Sequence, residues 1–316
     1  MAKIYNSVYN YLIKRSKDKD KPYWKALWNK FIQPNVNKPA TAIIHGQKIA
    51  LNCGYTYPIY MRVFKQLNNP LLQLAYQTKK KIGRSIILID VGAAIGDTYY
   101  LLDSNIENLF ERVLCIDGDQ EFYQFLSQNL RKFSFVDVYN AMLSDIDNSE
   151  ISSLERIHSG TASAQGYVKV RTQTLDTIVS NFNYPYIDLL KIDIDGFDGK
   201  VLAGASEVLH NYKPNVIFEW HPELIKKTDN DIHLPFDKLK EMGYTTFLFY
   251  TKYGNFCHYM FGENRREEID ALALISQRGF YDIDWHYDVI SLHKDSKLDI
   301  IELAECTFAK NKKSAF

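Results

Sequence analysis

The sequence predicts an α/β protein with a doubly wound, mostly parallel sheet, and three observations lead to this prediction. From Ser85 onward, short apolar runs alternate with helical segments, a pattern typical of βα units. The first run, at 86–91, leads into a glycine-containing turn, as expected of a strand buried on both faces. The last two strands have no convincing crossover helix between them, so we expect the final strand to be antiparallel.

The elements follow in a regular order after this first strand. We expect further strands at 112–117, 134–139, 168–170, 187–192, 215–218, 244–250 and 289–293, a hairpin around Gly254, helices at 98–110, 119–131, 175–182, 200–211 and 235–242, and an irregular polar segment at 144–165. Residues 1–84 do not alternate in this way. We therefore predict an N-terminal cap at 1–84, a main domain at 85–296, and a C-terminal helix and tail at 297–316.

Local patterns describe the cap as a mixture of helices and a hairpin. Residues 42–51 fit a hairpin, and 59–77 has helical spacing that Pro70 should break or kink. Three tyrosines near this helix suggest that the cap covers one side of a ligand site, with packing in the core as the alternative: Tyr55, Tyr57 and Tyr60.

Composition restricts the class of protein and its partners. The chain has 316 residues and 46% hydrophobic content, and its 38 basic residues balance 38 acidic ones. This balance gives no long-range attraction to nucleic acid or to an anionic membrane. No apolar run approaches the roughly 18 residues of a membrane helix. Four cysteines without paired spacing are typical of a reduced compartment, so we expect a cytoplasmic protein.

The turn after the first strand is the first candidate binding site. It has the spacing Asp-x-Gly-x-x-x-Gly, wider than the dinucleotide fingerprint, and an acidic residue lies where a phosphate would be held. This favours a ligand that has a positive centre and no phosphate, such as S-adenosylmethionine. An ordinary βα turn is the alternative. The candidate cofactor-binding residues here are Asp90, Gly92, Ala93, Gly96 and Asp97.

The next two strands end in further candidates for cofactor binding. Asp117 ends the second strand, where a carboxylate can accept hydrogen bonds from two ribose hydroxyls. Asn140 and Met142 follow the third strand and are placed to border an adenine ring. The alternatives are local: Asp117 as a turn residue and Asn140 as a turn cap.

The segment after the fourth strand is rich in carboxylates. Leu189, Lys191 and Asp193 share one face of an extended strand, so Asp193 should lie at its end, near the glycine turn. A lysine in such an apolar strand requires a carboxylate partner. Asp195 and Asp198 follow at the start of a helix, where a favourable helix dipole is the alternative explanation for Asp198.

This segment resembles the FkbM-type family of S-adenosylmethionine-dependent O-methyltransferases. The resemblance covers residues 85–293 and rests on Lys191-Ile-Asp-Ile-Asp-Gly196, Val201-Leu-Ala-Gly-Ala205, Asp90-Val-Gly-Ala93 with Gly96, Leu143-Ser-Asp145, Thr174-Leu-Asp176 and Phe218-Glu219. Asp195 replaces the usual glutamate, and Ile116-Asp-Gly118 stands where the family tends to have Phe-Glu-Pro. The resemblance implies a class I methyltransferase fold and methyl transfer to a hydroxyl of a glycan, sugar derivative or secondary metabolite.

Methyl transfer to a hydroxyl requires a proton acceptor, and the ends of strands four and five supply candidates. We predict His221 as the base, since imidazole titrates near neutrality, with Asp193 and Glu219 as further catalytic residues. Glu219 is expected to contact a substrate hydroxyl or Lys191. A metal-independent mechanism is favoured; if a divalent ion binds, its ligands are predicted to be Asp193, Asp195 and Glu219. We expect a small-molecule or glycan acceptor and no nucleic-acid partner, and a homo-oligomer is compatible with the sequence.

Two other classes of function fit parts of the sequence. Three Asp-x-Asp triplets match the metal–diphosphate motif of sugar-nucleotide glycosyltransferases: 117–119, 193–195 and 282–284. Such enzymes do not need the glycine turn, and a requirement for manganese would identify them. The other alternative is a nucleotide-fold interaction module without catalysis, against which the combination of Asp90, Gly92, Gly96 and Asp117 argues.

Overall fold

The N-terminal part of the chain forms helices and one hairpin. The computed structural model describes residues 4–152, 155–156, 162–163, 169–262, 265–277 and 285–306. The first elements are α1 (Ile4–Lys14), α2 (Pro22–Leu27), β1 (Pro39–Ile44), β2 (Gln47–Asn52), α3 (Tyr57–Val63) and α4 (Asn69–Ile82). The predicted hairpin is confirmed, with His45 and Gly46 both at positive φ in a two-residue turn. Pro70 lies in the first turn of α4, so it separates two helices as expected.

The elements that follow include the eight strands of the main sheet and those of two small separate sheets. They are β3 (Ile86–Val91), α5 (Asp97–Asn105), β4 (Phe110–Asp117), α6 (Gln120–Leu130), β5 (Val136–Asn140), β6 (Met142–Leu143), β7 (Glu150–Ser152), β8 (Glu155–Arg156), β9 (Ala162–Ser163), β10 (Lys169–Gln173), α7 (Leu175–Ser180), β11 (Leu189–Ile192), α8 (Asp198–Ala203), α9 (Ser206–Tyr212), β12 (Asn215–Trp220), α10 (Pro222–Lys227), α11 (Leu234–Glu241), β13 (Tyr244–Thr251), β14 (Phe256–Phe261), α12 (Arg266–Gln277), β15 (Tyr287–His293) and α13 (Ile300–Glu305).

Strands β6 to β10 form the two small separate sheets, whereas eight strands form the main sheet in the order β14-β13-β15-β12-β11-β3-β4-β5. Five consecutive strands of this order are mutually parallel: β5, β4, β3, β11 and β12. The strand β15 is antiparallel to both of its neighbours, β12 and β13. The doubly wound fold with an antiparallel last strand is therefore confirmed. The hairpin at Gly254 is also confirmed, because β14 pairs with β13 at the sheet edge.

Residues of β3 alternate between two cores. Ile86 and Leu88 pack in a core shared with α5, α6 and the N-terminal helices, and Ile87 and Ile89 pack in the core shared with α7 to α11. All six residues of β3 are buried. This explains why the strand is a continuous apolar run, as in other parallel strands covered by helices on both faces.

The structure corrects two sequence predictions about helices. The helix expected at 200–211 is two helices: α8 ends before Gly204, and the Asp176 carboxylate accepts hydrogen bonds from the backbone N–H groups of Glu207 and Val208 in the first turn of α9. A helix, α12, precedes β15, although no crossover helix was expected. Val168, the third Asp-x-Asp triplet at 282–284 and the tail at 307–316 lie outside the described residues.

No helix in the described ranges combines the length and the apolar character that a membrane crossing requires.

Candidate active site

The turn after β3 is held against the end of β11. Gly92 has φ of +76°, and a Cβ atom there would overlap the carbonyl oxygen of Asp193. Glycine is therefore required by the approach of two backbone segments of the protein itself. Gly96, at φ +88°, precedes α5, and a Cβ there would press on Leu126 and Leu130 of α6. Packing within the protein explains both glycines, and their role in cofactor binding stays a prediction.

Asp117, Asn140 and Met142 come together at one corner of this turn. The Asp117 carboxylate accepts hydrogen bonds from the backbone N–H groups of Ala94 (2.7 Å) and Asp119 (2.8 Å). Asn140 Nδ2 donates to the Asp117 carbonyl at 2.8 Å, and Met142 lies against Gly118. Burial raises the pKa of Asp117 to about 7, although the two N–H groups oppose this shift. Each carboxylate oxygen retains one lone pair for a ligand hydroxyl.

Lys191 has the carboxylate partners that its buried position requires. Its Nζ lies 3.1 Å from Asp90 Oδ1 and 3.4 Å from Asp193 Oδ2, and it donates to the Gly92 carbonyl at 3.3 Å. Burial alone would lower the pKa of Lys191, but the carboxylates of Asp90 and Asp193 outweigh it and raise the pKa. Asp90 is 0% exposed, and its ion pair with Lys191 holds the lysine in place. A role for Asp90 in cofactor binding stays a prediction. Ala93 is also buried.

Tyrosines of the N-terminal segment meet the first residue of α5. Tyr55 Oη donates to Asp97 Oδ1 at 3.4 Å, and burial raises the pKa of Asp97 to about 7. The Tyr57 hydroxyl lies 3.0 Å from His45 Nε2 and accepts from Asn68 Nδ2 at 3.2 Å. The structure thus brings two of the three singled-out tyrosines to the glycine turn.

The third tyrosine and its neighbours reach the other end of the sheet. Tyr60 is 44% exposed and stacks on Phe64. Phe64 in turn packs on Tyr253 with ring centroids 4.3 Å apart, and a side chain at Gly254 would collide with the carbonyl of Gln66. The N-terminal segment therefore contacts both the α5 turn and the β13–β14 turn.

Glu219 and Asp288 form a second acidic group on the far side of Lys191. They are directly paired across β12 and β15, and His286 Nε2 lies 3.7 Å from Glu219 Oε2. Burial, and then the neighbouring Asp193, raise the pKa of both, that of Asp288 to about 7. Lys191 pairs with Asp90 and Asp193 rather than with Glu219. His286 and Asp288 were not expected from the sequence, in which the alternation of polar residues around buried Tyr287 was the available signal.

His221 is a buried helix cap. It is 3% exposed, and its Nδ1 accepts a hydrogen bond from the backbone N–H of Leu224 at 3.3 Å, at the start of α10. A neutral ring whose Nδ1 accepts carries its proton on Nε2, so it acts as a donor there. The surface-loop alternative is wrong, and the role of His221 as base stays a prediction.

The acidic triplets have local partners in the structure. Asp119 caps α6 by accepting from the N–H groups of Glu121 and Phe122. Asp193 pairs with Lys191. Among the residues that the structure describes, no group of three or more His, Cys, Asp or Glu side chains is arranged to hold a metal ion.

The order of the strands, the glycine turn after β3 and the acidic end of β4 are those of the class I methyltransferase fold. Residues 90–246 match the model of the methyltransferase FkbM domain, and the chain belongs to the FkbM-type methyltransferase family. The predicted family is thereby confirmed. No curated protein matches the chain.

Solved structures of methyltransferases are similar to this chain. The FkbM methyltransferase of Methylobacillus flagellatus KT is 20% identical with a TM-score of 0.42, and the alignment covers 56% of this chain and 44% of that one. The chain thus spans less than half of the length of that protein. An O-methyltransferase from Bacillus cereus, in complex with S-adenosylhomocysteine (SAH), is 14% identical with a TM-score of 0.38. The alignment covers 72% of this chain and 80% of that one.

Proposed function

We propose that this methyltransferase uses S-adenosylmethionine to methylate a hydroxyl group of a glycan, a sugar derivative or another secondary metabolite. The observation that carries the proposal is the position of Asp193. It follows β11 directly, contacts the glycine turn through its backbone, and leaves 47% of its side chain exposed. A carboxylate in this position can receive the proton of an acceptor hydroxyl.

The residues around the turn fit the proposed cofactor by their chemistry. Asp117 has acceptor capacity left for two ribose hydroxyls, and Asn140 and Met142 lie beside it. Asp193 adds negative charge near the turn, and a positive ligand would favour the charged form of Asp97, whose pKa burial raises to about 7. S-adenosylmethionine supplies a methyl group on a sulfonium, which leaves as a neutral thioether.

The chain has to orient the acceptor oxygen and remove one proton. Lys191 holds the Asp193 carboxylate from one side, so its direction is fixed before the acceptor binds. We assign the proton to Asp193 in place of His221, the base expected from the sequence, since Nδ1 of His221 already accepts a hydrogen bond. His221 Nε2–H is then a donor that can orient the acceptor. A base of this kind contributes about 10²–10⁴-fold to the rate.

The proposal is tested by binding first and by product analysis second. SAH should bind in calorimetry, and NAD should not. Incubation with labelled S-adenosylmethionine and a panel of sugars should give a methyl ether, identified by NMR. Asp193→Asn should lower the turnover by about 10²–10⁴-fold, while Asp145→Asn, at an exposed position, serves as a matched control. A product methylated on nitrogen or carbon would contradict the proposal, as would full activity of Asp193→Asn.

A further inference from the structure

An excess of acidic side chains surrounds the ends of three neighbouring strands. Asp193 and Asp195 follow β11, Glu219 lies near the end of β12, and Asp288 lies near the start of β15. Asp193, Asp195, Asp198 and Asp288 all act electrostatically on Glu219, so they are close together. Like charges this close repel each other unless a positive group joins them.

Asp198 gives this group an unusual feature. It is 0% exposed, and neither of its carboxylate oxygens has a hydrogen-bond partner among the described residues. Asp193 and Asp195 are the charged groups that act on it most strongly. Burial, and then Asp193, raise the pKa of Asp198 well above its usual range, so this carboxyl group becomes charged only when a positive charge binds nearby.

The lysine of this group lies on one side of it, and His286 is a second basic side chain placed against these carboxylates, with its Nε2 3.7 Å from Glu219 Oε2. Lys191 is bound to Asp90 and Asp193, toward β3. Adjacent strands lie about 4.8 Å apart, so β12 and β15 lie about 10 and about 14 Å from β3. The proposed cofactor would lie over the turn after β3. Glu219 and Asp288 therefore face the acceptor and not the sulfonium.

We propose that the acceptor carries a protonated amino group next to its reactive hydroxyl, as in an amino sugar or an amino alcohol, and that Glu219 and Asp288 bind this group. This inference rests on the proposed function and names its substrate class. An ammonium group donates three hydrogen bonds and tolerates carboxylates on separate strands. Glu219 and Asp288 lie on two separate strands in this way, opposite each other on β12 and β15.

The test compares amines with their acetylated partners on the full-length protein. D-Glucosamine, D-galactosamine and aminoalkyl alcohols are each paired with the N-acetyl compound, and SAH formation is measured at saturating S-adenosylmethionine. We expect kcat/KM to be at least ten-fold higher for the amines. NMR titration of the SAH-loaded protein should show the same preference in binding.

Variants connect this preference to the two carboxylates. Asp288→Asn and Glu219→Gln should reduce the preference for the amine to less than three-fold, with unchanged affinity for SAH. Asp295→Asn is the matched control, because Asp295 follows the opposite end of β15 and is exposed. It should leave the preference intact.

The possible failures are distinguishable. If SAH binds but the amines neither bind nor react better than their acetylated partners, the inference is overturned and the proposed function stands. A preference that survives in both variants also overturns it, as does a requirement for a divalent ion. If SAH itself does not bind, the proposed function fails first, and the inference fails with it.

Discussion

At the scale of single residues, carboxylates in this site have structural roles that their positions in the sequence do not reveal. Asp90 and Asp117 both end strands, and both look equally suited to a ligand in the sequence. In the structure, Asp90 is committed to buried Lys191, whereas Asp117 holds the turn through two backbone N–H groups. The sequence predicted that the lysine needed a carboxylate, but the strand pairing decided which one.

Asp117→Ala should weaken SAH binding by about 1.5–3 kcal/mol, because it removes charged acceptors of hydrogen bonds. The same change also frees the N–H groups of Ala94 and Asp119, so the melting temperature should fall as well. Calorimetry measures the affinity. Asp117→Asn keeps one oxygen acceptor and should lose less. Unchanged affinity of Asp117→Ala would remove this residue from the site.

Asp288→Asn should stabilise the ligand-free protein at pH 8 and not at pH 4. The pKa of Asp288 is about 7 in the folded protein, raised by burial and then by Asp193, and about 3.9 in the unfolded chain. The folded state therefore holds a proton that the unfolded state has released, and stability from this group falls as the pH rises from about 4 to about 7. Asparagine does not titrate. A difference in melting temperature that is independent of pH would contradict this assignment.

At the scale of elements, the sequence predicted the positions of the strands well, but it did not predict which strands and helices lie beside one another. The apolar runs of β3 and β11 follow directly from burial on both faces. At the division of α8 from α9, the backbone N–H groups of Glu207 and Val208 donate to the Asp176 carboxylate, which is distant in the chain, so helical periodicity gave no sign of it. Asp288 entered the site because β15 is inserted beside β12, a fact of topology and not of local pattern.

Gly92→Ala should destabilise the protein strongly and abolish SAH binding, because the new Cβ would overlap the carbonyl of Asp193. Gly83→Ala is the matched control: Gly83 also has positive φ, but a Cβ there meets nothing within 4 Å. Left-handed backbone alone costs a non-glycine residue about 1–2 kcal/mol. Chemical denaturation should therefore show a clearly larger loss for Gly92→Ala. Equal losses in the two variants would show that backbone strain alone explains the glycine.

At the scale of the whole molecule, the N-terminal segment is part of the main core. Tyr9, Leu12 and Leu74 are fully buried in the same core as Ile86 and Leu88 of β3. The sequence predicted the hairpin and helices of this segment, since turn residues and Pro70 mark them locally. It gave no measure of how much apolar surface they bury against the sheet.

Deletion of residues 1–84 should therefore prevent cooperative folding, since it would expose the apolar face of β3 and α6. Circular dichroism and thermal denaturation of the truncated chain measure this. Tyr55→Phe is a milder change that removes only the hydroxyl bonded to Asp97, and it should leave the fold intact. A truncated chain that unfolds cooperatively and binds SAH normally would show instead that the segment is an independent cap.

The contacts of Phe64 and Gln66 with the β13–β14 turn have a consequence for engineering this protein. The packing of Phe64 on Tyr253 and the close fit of Gly254 against Gln66 join two segments that are far apart in the chain. A chimaera that takes its first 84 residues from a relative would therefore need the turn at 252–255 from the same donor. Segment exchanges meant to alter acceptor choice should move both pieces together.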